Sequence, residues 1–173
     1  MDKTESGRLG MIVGAAERLI TGWAILGGIV LTAVVVMNVA SVLGGVFWVP
    51  FPGDFELTQI GVAIAAFSFL PYCQLTGSNV TADIFSSNAG PRLLAIFSIL
   101  ASIIAFLFSV LLLWRMWGGM LDQKTYGYVT AIVQFPVWIA YIPILISMIL
   151  LAVAAAITLI DGERSAGGHE SHG

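Results

Sequence analysis

The chain has 173 residues, of which 58% are hydrophobic and 10% charged, and its net charge is −3 at neutral pH. Soluble domains carry about 25% charged residues, so this composition excludes an ordinary soluble domain and predicts that lipid is the main solvent. The seven basic residues form no cluster, which excludes nucleic acid as a partner.

Four apolar runs without charged residues dominate the sequence. They are Leu19–Gly53, Leu57–Ala82, Leu93–Trp114 and Thr125–Ile160. Each run is longer than the roughly 20 residues that a helix needs to cross about 30 Å of hydrocarbon. Backbone groups in lipid must be paired within the structure, and runs without strict alternation favour helices over barrel strands. We therefore predict an all-α membrane protein with four transmembrane helices in residues 21–160.

The first 20 residues precede these helices. Apolar residues recur there at helical spacing around Glu17 and Arg18, which predicts a short amphipathic interfacial helix on the cytoplasmic side. The first spanning helix is predicted at residues 21–46. Trp23 lies near one end of it and Trp48 follows the other. Because indole rings prefer the headgroup level, we expect both to be interfacial anchors.

A corner containing Pro50 and Pro52 follows, since proline ends helices and restricts the residue before it. The second helix is predicted at residues 55–75, with Asp54 as its N-cap and Glu56 in its first turn, where the helix dipole favours negative charge. These two carboxylates have no basic neighbour. They are therefore candidates for docking a soluble partner as well as for a structural role at the helix start.

Polar residues return after the second helix and include Gly77, Asn79 and Asp83. Asp83 follows an apolar helix at the predicted cytoplasmic boundary. Two roles are open for it: a structural one, as a cap or the partner of a basic group, and contact with another protein.

The third helix is predicted at residues 91–117, because proline is favourable at a first helical position. Trp114 and Trp117 stand beside Arg115 at its far end. This combination is typical of the membrane interface, so we expect both tryptophans to be anchors.

The last apolar run is too long for one straight crossing. Gly127 and Pro136 divide it into a leader at residues 125–134, predicted to be interfacial or partly re-entrant, and a fourth spanning helix at residues 135–160. The tail at residues 161–173 is rich in Gly, Ser and His and is predicted to be disordered in the cytoplasm.

The basic residues predict the orientation. Arg115 and Lys124 lie on one side of the predicted bundle, and the other five lie on the side of the N-terminus. Those five are Lys3, Arg8, Arg18, Arg92 and Arg164. The positive-inside rule therefore favours both termini in the cytoplasm.

Few polar residues fall at membrane depth, where ionisable groups are costly and mark solute or proton pathways. The deepest are Asn38, Gln59 and Gln134, and we predict that Asn38 makes an interhelical hydrogen bond. His169 and His172 both lie in the tail, so no histidine pair is placed to hold haem. We predict no catalytic, metal or cofactor site on this chain.

Three short stretches together resemble one known family: Asp54–Leu57, Gly77–Asp83 and Pro136–Tyr141. By their order and spacing, over about residues 19–160, the chain resembles the small Q-type membrane subunit of tripartite ATP-independent periplasmic (TRAP) transporters. The candidate partner-docking or structural residues are Asp54, Glu56, Gly77, Asn79, Asp83 and Trp138.

The resemblance implies a multi-pass protein of a bacterial or archaeal inner membrane. Its expected partners are a large multi-helix permease subunit, a periplasmic substrate-binding protein and membrane lipid. The chain would be a noncatalytic scaffold, not an enzyme, that braces the large subunit during sodium-coupled uptake of an organic acid, with sodium bound by the large subunit. Two other hypotheses stay open: an autonomous homo-oligomeric carrier, and a membrane anchor of a redox complex.

Overall fold

The computed structural model describes residues 3–47, 49, 51–76 and 91–167, which contain four long helices. They are α1 at Lys3–Phe47, α2 at Asp54–Leu75, α3 at Pro91–Thr125 and α4 at Val137–Gly167. Each has a stretch long and apolar enough to cross a membrane. The stretches are Val13–Phe47, Asp54–Leu75, Ile99–Thr125 and Val137–Leu159. The prediction of an all-α membrane protein with four spanning helices is confirmed.

The helix α1 is continuous over 45 residues. The sequence predicted a boundary near residue 20 between a surface helix and the first span, but the helix passes through it unbroken. No proline lies between Lys3 and Phe47, so proline removes no backbone hydrogen bond from it. Ile20, at the predicted boundary, is fully buried. The location of the first turns at the membrane surface stays a prediction, as does the orientation of the termini.

The helix α3 ends at Thr125 and not at residue 117 as predicted. It ends where Gly127 adopts a left-handed φ of 63°. The N–H of Tyr128 then donates to the carbonyl of Gln123 at 3.1 Å, which closes a Schellman-type cap. The last helix, α4, also continues beyond its predicted end at residue 160.

The four helices form a row in the order α1, α2, α4, α3. Helix α2 packs between α1 and α4, α4 packs between α2 and α3, and α1 reaches α4 over a smaller area. Burial reflects this order, because 44% of the most apolar window of α4 is buried and only 11% of that of α3. The flanking helices therefore keep broad apolar faces exposed to lipid or to a protein partner.

Small residues allow α1 and α2 to approach closely. A Cβ atom at Gly61 of α2 would clash with the side chain of Val34, and one at Gly27 of α1 would come within 2.7 Å of the Ser68 Cβ. These two contacts also show that α1 and α2 are antiparallel. Close approach at small residues is the usual basis of helix packing in lipid.

Candidate functional site

The candidate residues at the start of α2 are engaged within the chain. The N-cap of α2 is Gly53, with a φ of 82°, which corrects the prediction of Asp54 as N-cap. Asp54 is the first helical residue instead. Its Oδ2 accepts a hydrogen bond from the Ser41 hydroxyl of α1 at 2.5 Å, and its Oδ1 accepts one from the Phe55 N–H at 2.7 Å. Asp54 therefore joins α1 to α2.

Glu56 binds a segment far away in the sequence. Its two carboxylate oxygens accept hydrogen bonds from the backbone N–H groups of Ile132 at 2.8 Å and Val133 at 3.0 Å. Hydrogen bonds to an ionised acceptor are stronger than those between neutral groups. Of the two roles that the sequence left open for Asp54 and Glu56, the structure supports the structural one at both positions. Docking of a soluble partner there stays a prediction.

The connection between α3 and α4 is a compact hairpin at residues 126–136. Val129 and Pro136 form an antiparallel bridge, and the Thr130 N–H donates to the Phe135 carbonyl at 3.0 Å. The hairpin lies over the start of α2, where a Cβ atom at Gly53 would clash with the Val133 side chain. The α1–α2 corner and this hairpin therefore share one end of the bundle, which we call the hairpin end.

The backbone of the hairpin is largely paired. The N–H groups of seven of its residues and their neighbour Val137 donate within the chain, to backbone carbonyls, to the Thr130 hydroxyl or to Glu56. Several of its aromatic and aliphatic side chains are exposed: Tyr126, Tyr128, Val129 and Ile132. Paired backbone and exposed apolar side chains are what a segment at the membrane boundary requires.

Trp138 also contacts its own chain. The Lys124 ammonium at the end of α3 lies 5.3 Å from the centroid of the Trp138 ring, a cation–π distance. One turn further along α4, the Tyr141 ring lies 3.4 Å from the position of a Cβ atom on Gly119. The two contacts hold the end of α3 against the start of α4.

Trp23 lies against α4 and not at a free helix end. Its indole N–H donates to the Ser147 hydroxyl at 2.9 Å, and Ser147 donates in turn to the Pro143 carbonyl at 2.8 Å. Ser147 is fully buried near the middle of the spanning stretch of α4. The indole N–H of Trp23 is therefore paired within the helix bundle, and the role of Trp23 as an interfacial anchor stays a prediction.

The interhelical bond predicted for Asn38 is present. Its amide donates to the Thr58 hydroxyl of α2 at 2.7 Å and to the Val34 carbonyl of α1 at 2.8 Å. Gln59 and Gln134 are exposed, and Gln134 has a left-handed φ of 54°. Of the three deepest polar residues predicted, Asn38 is thus the one that joins two helices here.

A three-helix polar contact was not indicated by the sequence. Thr158 of α4 accepts a hydrogen bond from the Gln74 amide of α2 at 3.2 Å, and its hydroxyl lies 3.1 Å from that of Ser102 in α3. Gln74 and Ser102 are buried. Ser, Thr and Gln on apolar helices signal such bonding in general, but the partners depend on tertiary packing.

The remaining predicted site residues fall into two groups. Gly77, Asn79, Asp83 and Trp48 lie outside the described residues. The side chains of Trp114 and Trp117 are 77% and 53% exposed on α3. Their role as anchors stays a prediction.

Metal binding has no assembled ligand set in the described part of the chain. Within residues 3–47, 51–76 and 91–167, no group of three His, Cys, Asp or Glu side chains is close enough together to hold an ion. A shallow, open groove runs along α1 between Ile25 and Met37, and its lining is almost entirely apolar.

Four apolar spanning helices joined by polar contacts define a multi-pass membrane protein. The family described as tripartite ATP-independent periplasmic transporters, DctQ component, matches residues 30–165, which is most of the chain. The chain belongs to this family and is therefore a small membrane component of a TRAP transporter, as the three sequence stretches indicated. Searches of curated proteins and of solved structures gave no match.

Proposed function

We propose that the chain is a noncatalytic scaffold that braces the large permease subunit of a TRAP transporter. The complex would take up an organic acid with sodium, together with a periplasmic substrate-binding protein, across a bacterial or archaeal inner membrane. Sodium would be bound by the large subunit, and both termini of this chain would be cytoplasmic.

One observation carries the scaffold role. Among the described residues, no buried side-chain nitrogen or oxygen atom lacks a hydrogen-bond partner. Several polar groups within the spans, among them Asn38, Ser147 and Thr158, bond to neighbouring helices or to their own helix. A solute pathway needs polar groups that are free to exchange partners. Polar groups that are hydrogen-bonded within the helix bundle support the role of a rigid structural subunit instead.

The shape of the row supports the same role. A row of four helices has two long edges, and the exposed apolar side chains on α1 and α3 include Val36, Leu107 and Leu111. Such faces extend the width of a partner in the membrane. They also resist tilting, because apolar area and interfacial side chains fix the depth of a helix bundle.

Reconstitution tests the proposal. Proteoliposomes would contain the large permease subunit alone, this chain alone, or both, with the binding protein supplied outside and a sodium gradient imposed. We expect uptake of the organic acid only when both membrane subunits are present, and loss of uptake when choline replaces sodium. Uptake by this chain alone would support the autonomous carrier and refute the scaffold. A haem absorbance band in the purified chain would support the redox anchor.

A further inference from the structure

Arg115 has an unusual position in α3. It lies on the exposed surface of the helix, ten residues before Thr125, and not at the helix end that the sequence predicted. Its neighbours Trp114 and Trp117 are also exposed. The described residues offer Arg115 no ion pair or hydrogen bond of its own.

The packing of α3 on α4 gives the height of Arg115. Gly119 lies against Tyr141, and these two helices are antiparallel. Arg115 lies four residues before Gly119 in α3. It is therefore at the height of the residue four positions after Tyr141 in α4, which is Leu145. Leu145 is buried, and it lies about 12 Å inside the start of the spanning stretch at Val137, at about 1.5 Å per residue.

The other two helices give the same height. Helices α2 and α4 are parallel, because Gln74 meets Thr158 at one end while Gly53 meets the hairpin before Val137 at the other. The level of Leu145 is then the level of Gly61 in α2, which packs on Val34 of α1. Arg115 is therefore exposed at a height where the other three helices have no charged residue within one turn of Leu145, Gly61 and Val34.

Lipid alone is a poor environment for this guanidinium. A charged side chain at hydrocarbon depth is costly, and arginine usually reduces the cost by extending toward the headgroups. The Cα–Cβ bonds of a helix tilt toward its N-terminus, and the N-terminus of α3 is at the end opposite the hairpin. The side chain therefore starts out pointing away from the nearer membrane surface.

We infer that Arg115 faces the large permease subunit and forms an ion pair there with a carboxylate at membrane depth. The inference rests on the proposed scaffold role. The contact surface, which we call the Arg115 face, consists of Leu111, Trp114, Arg115 and Gly118. These residues are three and four positions apart and share one side of α3. A Cβ atom at Gly118 would meet nothing within 4 Å, so the face has a recess beside the charge that admits a partner helix.

Charge reversal tests the ion pair. The tagged chain and the solubilised large permease subunit are mixed in mild detergent, and the apparent Kd is measured. We expect Arg115→Glu to weaken association by about 30-fold or more, because it places two carboxylates together, and Arg115→Lys to have a smaller effect. The matched control is Arg18→Glu, an exposed arginine of α1, with an expected change within about twofold.

A second variant tests the same face in case Arg115→Glu does not fold. Gly118→Trp fills the recess and leaves Arg115 in place, and the open space around Gly118 lets α3 accept it. Circular dichroism of each variant alone checks the helix content. Unchanged Kd values for both Arg115→Glu and Gly118→Trp would overturn the inference while leaving the scaffold role intact. Failure of the unaltered chain to bind the large subunit would refute the scaffold role itself.

Cysteine labelling distinguishes protein from headgroup contact. Gly118→Cys is placed in a Cys73→Ser background and reconstituted with the large subunit in vesicles of phosphatidylethanolamine and phosphatidylglycerol. We expect no reaction with a membrane-impermeant maleimide. Rapid labelling would mean that the membrane surface lies at Arg115, which contradicts pairing at membrane depth.

Discussion

Glu56 stands at the first turn of α2 and supplies two acceptors to consecutive N–H groups of the hairpin. Irregular backbone that enters the hydrocarbon finds no water to pair with, and each unpaired group is costly there, so a segment beside a spanning helix is favoured when its backbone is paired within the protein. A carboxylate with two oxygens can replace two water molecules at once. Glu56 is thus the residue that allows an irregular segment to lie against the start of a spanning helix.

Removal of this carboxylate is expected to loosen the hairpin. In Glu56→Ala the N–H groups of Ile132 and Val133 lose their acceptor, and in Glu56→Gln they keep one carbonyl oxygen. Hydrogen exchange of peptides covering residues 126–136, measured by mass spectrometry, should be fastest in the alanine variant and intermediate in the glutamine variant. Asp122→Ala removes another exposed carboxylate from the same end of the bundle and is the control. Equal exchange in Glu56→Ala and the unaltered chain would mean that the Glu56 carboxylate does not hold the hairpin in place.

The sequence identified these residues but not their partners. Asp54 and Glu56 attracted attention because two acidic residues begin an apolar helix without a basic neighbour. The partner N–H groups of Glu56 are 76 and 77 residues away, in a largely apolar stretch. Backbone donors look alike in every sequence, so only the fold could assign them.

The spanning elements were predictable from hydropathy, whereas the end of α3 was not. Trp114, Arg115 and Trp117 resemble a helix end because such residues favour the interface. The helix ends at Gly127 instead, where the chain adopts the left-handed conformation that glycine permits. A hydropathy pattern reports the environment of a helix face, and backbone conformation decides where the helix stops.

Thr158 illustrates how α2, α3 and α4 are held together. Its hydroxyl contacts Gln74 and Ser102. We expect Thr158→Val, which keeps the side-chain volume, to destabilise the bundle by about 0.6 to 1.7 kcal/mol, which are the average and the maximum found for interhelical hydrogen bonds by double-mutant cycles in a membrane protein. The measurement is the unfolding midpoint in mixed detergent micelles with increasing dodecyl sulfate.

The matched control for that variant is Thr32→Val on α1. The Thr32 hydroxyl is exposed and donates only to the Gly28 carbonyl of its own helix at 2.9 Å. Its loss should shift the midpoint less than the loss of the Thr158 hydroxyl. Equal shifts in the two variants would mean that the contact among the three helices adds no stability.

At the scale of the whole molecule, the row of helices has a consequence for topology. The hairpin and the α1–α2 corner are bonded to each other through Glu56, so both must lie on one side of the membrane. The distribution of basic residues predicts that this side is the outer one and that the termini are cytoplasmic. The fold requires the hairpin and the corner to share one side of the membrane. The choice of the outer side depends on the distribution of charge alone.

Single cysteines in a Cys73→Ser background test both statements. Phe51→Cys at the corner and Ala131→Cys in the hairpin are exposed positions at the same end of the bundle, and Gly10→Cys is exposed near the N-terminal end of α1. In intact cells, a membrane-impermeant maleimide should label the first two and reach Gly10→Cys only after permeabilisation. Labelling of Gly10→Cys alone would invert the predicted orientation while preserving the fold. Labelling of Phe51→Cys and Ala131→Cys from opposite sides would be incompatible with the hydrogen bonds of Glu56, and the arrangement of the four helices would then be wrong.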